Sequence, residues 1–227
     1  MRKLSFFLGI LLLAACLAAP LPALDHNTPF TAHMVRHTAL LLLAAPLLAM
    51  AIPPENVAAR GLMALSRLTA RIPVIAWLAG ILMMWLWHVP AWYNATNGPA
   101  ADIVSCAPLA LSHSAPFADR ITPLLHDLSL LIGGFLFCWP VITPYPSLRL
   151  PALRAVLYLA TACVCCSLLG LLITFAPPGT YRGIAITDQQ AGGLIMWVPC
   201  CFVYLTASMA LLIRWLSKKE VLTPVSI

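Results

Sequence analysis

Largely apolar runs, each long enough to cross a bilayer, recur along the whole chain and are separated by short polar connections. An α-helix needs about 20 predominantly apolar residues to cross ~30 Å of hydrocarbon. Membrane β-strands would instead alternate apolar and polar positions over about 10 residues, and these runs do not. The pattern predicts an all-α, polytopic transmembrane helix bundle with about six spans. The runs lie approximately at Leu4–Leu24, His33–Ile52, Ile72–Val89, Ile121–Ile142, Ala155–Ala176 and Ala191–Ile213.

The composition agrees with this pattern. Of the 227 residues, 62% are hydrophobic and 9% are charged, whereas ordinary soluble domains carry about 25% charged residues. This argues against a soluble globular domain, a disordered chain, a nucleic-acid-binding protein and a secreted disulfide scaffold. Because the connections are short, we expect one membrane domain, with a first segment over 1–24, a helical bundle over 25–216 and a cytoplasmic tail over 217–227.

The distribution of basic residues predicts the orientation, because cytoplasmic connections of membrane proteins are enriched in Lys and Arg. With the N-terminus inside, ten of the thirteen basic residues fall on the inner side. The three on the outer side are Arg36, Arg120 and Arg182. We therefore expect both termini in the cytoplasm. The inner basic residues are Arg2, Lys3, Arg60, Arg67, Arg71, Arg149, Arg154, Arg214, Lys218 and Lys219.

The first apolar run also resembles a secretory signal. Arg2 and Lys3 precede it, and Leu13-Ala14-Ala15-Cys16 looks like a lipoprotein cleavage site. We interpret this run as a retained helix. Cleavage would leave five helices and would not change the side that the other residues face.

All the histidines fall on the outer half of the predicted topology. They are His26, His33, His37, His88, His113 and His126. The orientation was deduced from Lys and Arg alone, so this one-sidedness is an independent regularity. Ionisable side chains at the membrane are costly and usually mark function, and imidazole is the commonest metal ligand in proteins. The pattern indicates a metal site near the outer surface.

Residue spacing narrows the set of ligands. His33 and His37 are four residues apart and share one helix face. Imidazoles and thioethers together suit copper, Cu(I) especially. Asp188 could orient an imidazole or bind the metal directly. We expect His33, His37, His88 and His126 as ligands, with Met34 and Met196 as soft auxiliary ligands.

Simpler interpretations exist for each residue taken singly. His33 and His37 could sit at the wet interface, and His88 could cap the last carbonyls of its helix. Asp188 could belong to a capping box that ends at Gln190.

The cysteines show no disulfide pattern. Cys163, Cys165, Cys166, Cys200 and Cys201 fall within the fifth and sixth spans. Ordinary apolar packing is the favoured interpretation. The functional alternative is a path for Cu(I) deeper in the membrane.

Four blocks of the sequence stand out in order along the chain. They are His33-Met34-Val35-Arg36-His37 with Ala45-Pro46-Leu47-Leu48, Leu86-Trp87-His88-Val89-Pro90, His126-Asp127-Leu128 with Gly134-Phe135-Leu136-Phe137-Cys138-Trp139-Pro140, and Asp188-Gln189-Gln190-Ala191-Gly192-Gly193-Leu194-Ile195-Met196-Trp197. Together they resemble the CtaG-like cytochrome c oxidase assembly factors, and the resemblance covers about residues 30–215. The chain departs from the family in having six predicted spans where some members have seven, and in Cys138, where a bulky residue is expected.

This resemblance implies a non-enzymatic assembly factor in the bacterial inner membrane, with its site facing the periplasm. It would bind and deliver copper to cytochrome c oxidase subunits or exchange it with other copper chaperones. Three alternatives stay open. One is a haem-binding electron-transfer subunit. Another is an intramembrane zinc hydrolase using His33, His37, His126 and Asp188, with Asp127 as general base. The third is a copper transporter that uses the mid-span cysteines.

Overall fold

A computed structural model describes residues 2–18, 28–53, 59–96 and 117–222. Within these ranges the regular structure is helical and no strand is present, which confirms the predicted all-α fold. A short 3₁₀ turn lies at Pro146–Leu148. The helices are α1 (Arg2–Ala18), α2 (Pro29–Ala51), α3 (Ala59–Arg71), α4 (Pro73–His88), α5 (Pro90–Thr96), α6 (Phe117–Ile142), α7 (Ala152–Phe175) and α8 (Ile186–Leu222).

Four of the described helices contain segments that are long and apolar enough to cross a membrane. These segments are Pro29–Ala51, Leu124–Ile142, Ala152–Phe175 and Ile186–Ser217. A fifth span is present if α3 and α4 form one broken span. The first apolar run is helical over the 17 residues of α1, and residues 19–27 lie outside the described part. The count of six spans and the cytoplasmic termini stay predictions.

The connection before α4 is a helix rather than a loop. α3 meets α4 at an angle of 96°, with Ile72 between them and Pro73 opening α4. Proline suits the first turn of a helix because it has no N–H to leave unpaired. Arg60, Arg67 and Arg71 are exposed along α3, whereas Ser66 is fully buried and its hydroxyl lies 2.8 Å from that of Thr143. This amphipathic character is typical of a helix that lies in the membrane interface.

The middle of α2 contains a π-helical segment, Leu40–Ala44, just before Pro46. Proline in a helix interior clashes with the preceding turn and removes a hydrogen bond. A wider turn at this point lets α2 continue through Pro46 to Ala51. Segments of this kind are frequent near functional sites, and this one begins three residues after His37.

Two glycines bring the neighbouring helices close to α2. On α6, a Cβ at Gly134 would lie 2.7 Å from the carbonyl oxygen of Leu41. On α8, a Cβ at Gly192 would collide with the ring of Phe30. Small residues permit such close approach between membrane helices. α8 thereby packs closely against the N-terminal part of α2, at Phe30, and α6 against its middle, at Leu41.

We expect Gly134→Ala to destabilise the bundle by about 1–3 kcal/mol, because its methyl group would force α2 and α6 apart. Gly61→Ala is the matched control, since a Cβ at Gly61 would meet nothing within 4 Å. That control should be neutral or stabilising by up to about 1 kcal/mol, owing to the higher helix propensity of alanine. Thermal unfolding in detergent measures both changes. A melting temperature for Gly134→Ala at or above that of the unsubstituted protein would contradict the close packing.

Candidate metal centre

The first turns of α2 are held in place by an acidic side chain from α8. The Asp188 carboxylate accepts hydrogen bonds from the backbone N–H groups of Phe30 and Thr31, each at 2.9 Å. It also accepts one from the Thr31 hydroxyl at 2.6 Å. The first N–H groups of a helix have no partner within the helix, and a carboxylate at this position satisfies them. Asp188 therefore fixes the N-terminus of α2, which carries His33 and His37.

The rings of three histidines meet beside this helix terminus. The ring centroids of His33 and His37 are 4.1 Å apart, and that of His126 on α6 lies 5.1 Å from His33 and 4.3 Å from His37. One ligand nitrogen from each of the three lies within 4.8 Å of the others. His37 and His126 are 1% and 7% exposed, and His33 is more accessible.

Several nitrogens in this group have no hydrogen-bond partner among the described residues. They are both ring nitrogens of His37 and Nε2 of His126. Leaving a buried polar atom unpaired costs about 1–3 kcal/mol. Neutral imidazole nitrogens are good ligands for transition metals. The donor set and its unpaired nitrogens fit a metal ion held by three imidazoles.

The orientation of His126 is set by a neighbouring carboxylate. Its Nδ1 lies 3.0 Å from Oδ1 of Asp127. A carboxylate can only accept, so the hydrogen of the neutral ring is on Nδ1 and Nε2 presents its lone pair. This is the arrangement by which a second residue orients a metal-ligating histidine. The role predicted for Asp188, to orient an imidazole or bind the metal directly, stays a prediction, and its two oxygens accept hydrogen bonds from the backbone of α2.

A basic residue from α2 completes this arrangement. Arg36 pairs with the other oxygen of Asp127, and both side chains are buried. A buried charge needs such a partner because its desolvation is costly. Sequence analysis counted Arg36 only as an outer basic residue. The sequence could have indicated this pair, because Arg36 and Asp127 are opposite charges inside two separate apolar runs.

His88 lies at the edge of the histidine cluster. Its ring centroid is 5.0 Å from that of His37. Its Nδ1 is 2.5 Å from the carbonyl oxygen of Met84 and its Nε2 is 3.1 Å from Sδ of Met34. The carbonyl can only accept, so Nδ1 carries the hydrogen and the lone pair of Nε2 faces the thioether. Two soft donor atoms therefore face each other with no hydrogen between them.

An aromatic wall surrounds the cluster. Trp87 packs edge-on against His126, with ring centroids 4.6 Å apart, and Tyr93 packs in the same way against His33 at 5.7 Å. Tyr181, in the connection between α7 and α8, donates its hydroxyl hydrogen to the backbone oxygen of His88 at 2.8 Å. Burial raises the pKa of Tyr181 to about 12, so this hydroxyl stays protonated at neutral pH.

Met196 and two histidines complete the account of the sequence-predicted site. Met196 is 2% exposed and belongs to the same apolar core as Met34 and Met84. Its role as an auxiliary ligand stays a prediction. His26 and His113 lie outside the described residues.

The chain matches a model of a known protein family over most of its length. A family model described as "Cytochrome c oxidase caa3 assembly factor" matches residues 1–101 and 111–218. No curated protein and no solved structure matches the chain.

We expect Asp127→Ala to destabilise the protein by about 3–5 kcal/mol, because it removes the carboxylate partner of the buried Arg36 charge. The double variant Arg36→Leu/Asp127→Ala should recover much of this loss, since both charges are then absent. Thermal unfolding of the four proteins in this cycle measures the coupling between the two residues. Additive effects of the two single substitutions would contradict the ion pair.

Proposed function

This chain belongs to the family of cytochrome c oxidase caa3 assembly factors, and we propose that it binds copper and delivers it during oxidase assembly. The copper is cargo, and its destination is an oxidase subunit or another copper chaperone. The protein would act without catalysing a reaction. We place it in the bacterial inner membrane with the histidine cluster facing the periplasm, as the positions of Lys and Arg predict.

The histidine cluster carries this proposal. Three imidazoles from two helices converge, and three of their nitrogens are buried without a hydrogen-bond partner among the described residues. If the cluster were purely structural, these buried, unpaired nitrogens would destabilise the fold, and nothing would compensate for that loss. Imidazole and thioether donors bind copper in preference to magnesium or calcium.

Each residue at this site has a separate role in our proposal. His33, His37 and His126 hold the ion. Asp127 keeps His126 in the tautomer that presents Nε2. His88 and Met34 offer a neighbouring pair of soft donors, 3.1 Å apart, to which the ion can pass.

The difference in accessibility among the histidines supports exchange rather than permanent storage. The side chains that would bind the metal are buried in all three histidines, and His33 is the one whose residue as a whole is only half-buried. An ion would therefore reach the cluster and leave it on the side of His33. Delivery requires such an accessible ligand, because a closed site would not release its ion.

The geometry favours copper over the alternatives of haem and hydrolytic zinc. Axial ligation of haem requires imidazoles on opposite faces of a porphyrin, and rings only 4.1–5.1 Å apart leave no room for one between them. Three imidazoles could also hold catalytic zinc. The residue considered as its general base, Asp127, is already paired with Arg36 and His126.

We expect detergent-purified protein, loaded anaerobically with Cu(I), to retain copper, and His37→Ala and His126→Ala each to weaken its binding at least tenfold. Each substitution removes one of three imidazole donors. His113→Ala is the control, because it removes a histidine that is also predicted on the outer side but is not among the proposed ligands, and it should bind copper normally. Elemental analysis and competition with a chromophoric Cu(I) chelator provide the measurement.

The same experiment tests the alternatives. Unaltered copper affinity in both His37→Ala and His126→Ala would contradict the proposed site. A Soret absorption band in the purified protein would favour haem, and retention of zinc but not copper would favour the hydrolase. In bacteria that lack their own copy of this protein, wild type and His113→Ala should restore oxidase copper content, and His37→Ala should not.

A further inference from the structure

A second group of soft donor atoms lies between α7 and α8, apart from the histidine cluster. The thiols of Cys166 and Cys200 lie close enough across the two helices to interact with each other. The sulfur of Cys166 also lies 3.5 Å from Sδ of Met84 on α4. Cys163 and Cys201 make a neighbouring thiol pair, with their sulfurs 3.5 Å apart. Two pairs of thiols and one thioether are therefore grouped in this part of the bundle.

The helix geometry explains this grouping. Cys163 and Cys166 are three residues apart and share one face of α7. Cys200 and Cys201 are consecutive on α8 and directly follow Pro199. Cys166 and Cys200 are 0% and 1% exposed, so they point into the bundle rather than towards lipid.

We infer that Cys166, Cys200 and Met84 form a second, all-sulfur binding site for Cu(I). The three sulfurs come from three helices, and that of Cys166 lies next to each of the other two. The region is buried, and it also contains the hydroxyl group of Tyr204, 3.8 Å from the Cys166 sulfur. Thiolate and thioether ligands select Cu(I), and zinc in structural sites prefers four ligands. The identity of the ion rests on the proposed copper function, whereas the donor set rests on the contacts between the sulfurs.

The charge balance suits a buried site. Cu(I) would replace the proton of one of the two thiols, and that proton is released to solvent. The product contains one thiolate, one thiol, one thioether and one monovalent cation, so its net charge is zero. Copper stays in the same oxidation state throughout. A neutral exchange of this kind avoids the high cost of burying a net charge.

Met84 connects this site with the histidine cluster. Its carbonyl oxygen accepts the hydrogen bond of His88, and its sulfur contacts Cys166. His88 in turn faces the sulfur of Met34. Met84 therefore contacts the histidine cluster through its backbone and the thiols through its sulfur. In this arrangement the second site can hold an ion that the first has received.

The test is the copper stoichiometry of the full-length protein, loaded anaerobically with Cu(I) in detergent. Wild type should retain two ions, and Cys166→Ser/Cys200→Ser should retain one. Cys138→Ser/Cys165→Ser is the matched control. It also replaces two thiols in predicted membrane spans but leaves Cys166 and Cys200 unchanged. It should retain two ions. Size-exclusion profiles establish that each variant is folded.

X-ray absorption on His37→Ala/His126→Ala provides a second measurement that does not require the cysteine variant to fold. The ion kept by this protein should show sulfur neighbours and no imidazole. Nitrogen neighbours, or wild-type stoichiometry in Cys166→Ser/Cys200→Ser, would overturn the thiol site. Loss of an ion in the cysteine variant, with no loss in the histidine variant, would support the thiol site and contradict the imidazole site.

Discussion

The buried ion pair between Arg36 on α2 and Asp127 on α6 is the interaction on which the histidine site depends. It connects the two helices that supply the three imidazoles, and neither charge could stay buried without the other. Asp127 also fixes the tautomer of its neighbour His126. One carboxylate thus couples the packing of two membrane helices to the direction in which a ligand nitrogen points, so helix position and metal affinity are linked.

The donor atoms change in character along the bundle. Imidazoles come first, then the His88–Met34 pair and finally the Met84, Cys166 and Cys200 sulfurs. Sulfur donors are more selective for Cu(I) than imidazoles are. The proposed sulfur site would therefore hold a Cu(I) ion more tightly than the proposed imidazole site. Together, the two proposed sites give the protein an exchangeable position near the surface and a retaining position within the core.

The sequence predicts the spans and part of the site, and the remainder depends on packing. Hydrophobic runs give α2, α7 and α8, and the four-residue spacing of His33 and His37 gives their shared face. The consecutive Gly133 and Gly134 predict a close helix approach, which is present at Gly134, but they do not specify that α2 is the partner. The hydrogen bonds of Asp188 to the first N–H groups of α2 were not predicted, because the two segments are more than 150 residues apart in the sequence. The 96° corner between α3 and α4 was not predicted, because charge position reports the side of the membrane and not local structure.

That corner has a consequence for the depth of the proposed histidine site in a membrane. If α3 lies along one membrane boundary, as its exposed arginines suggest, α4 begins there and continues for 16 residues to His88. At 1.5 Å per residue this is about 24 Å, short of the ~30 Å of hydrocarbon. In that placement, His88 and the rings beside it would lie several ångströms beneath the opposite headgroups. A hydrated cation would have to lose its water shell before an imidazole nitrogen could bind it. Because weakly hydrated ions lose their water at a lower free-energy cost, such a depth would favour them over strongly hydrated ions.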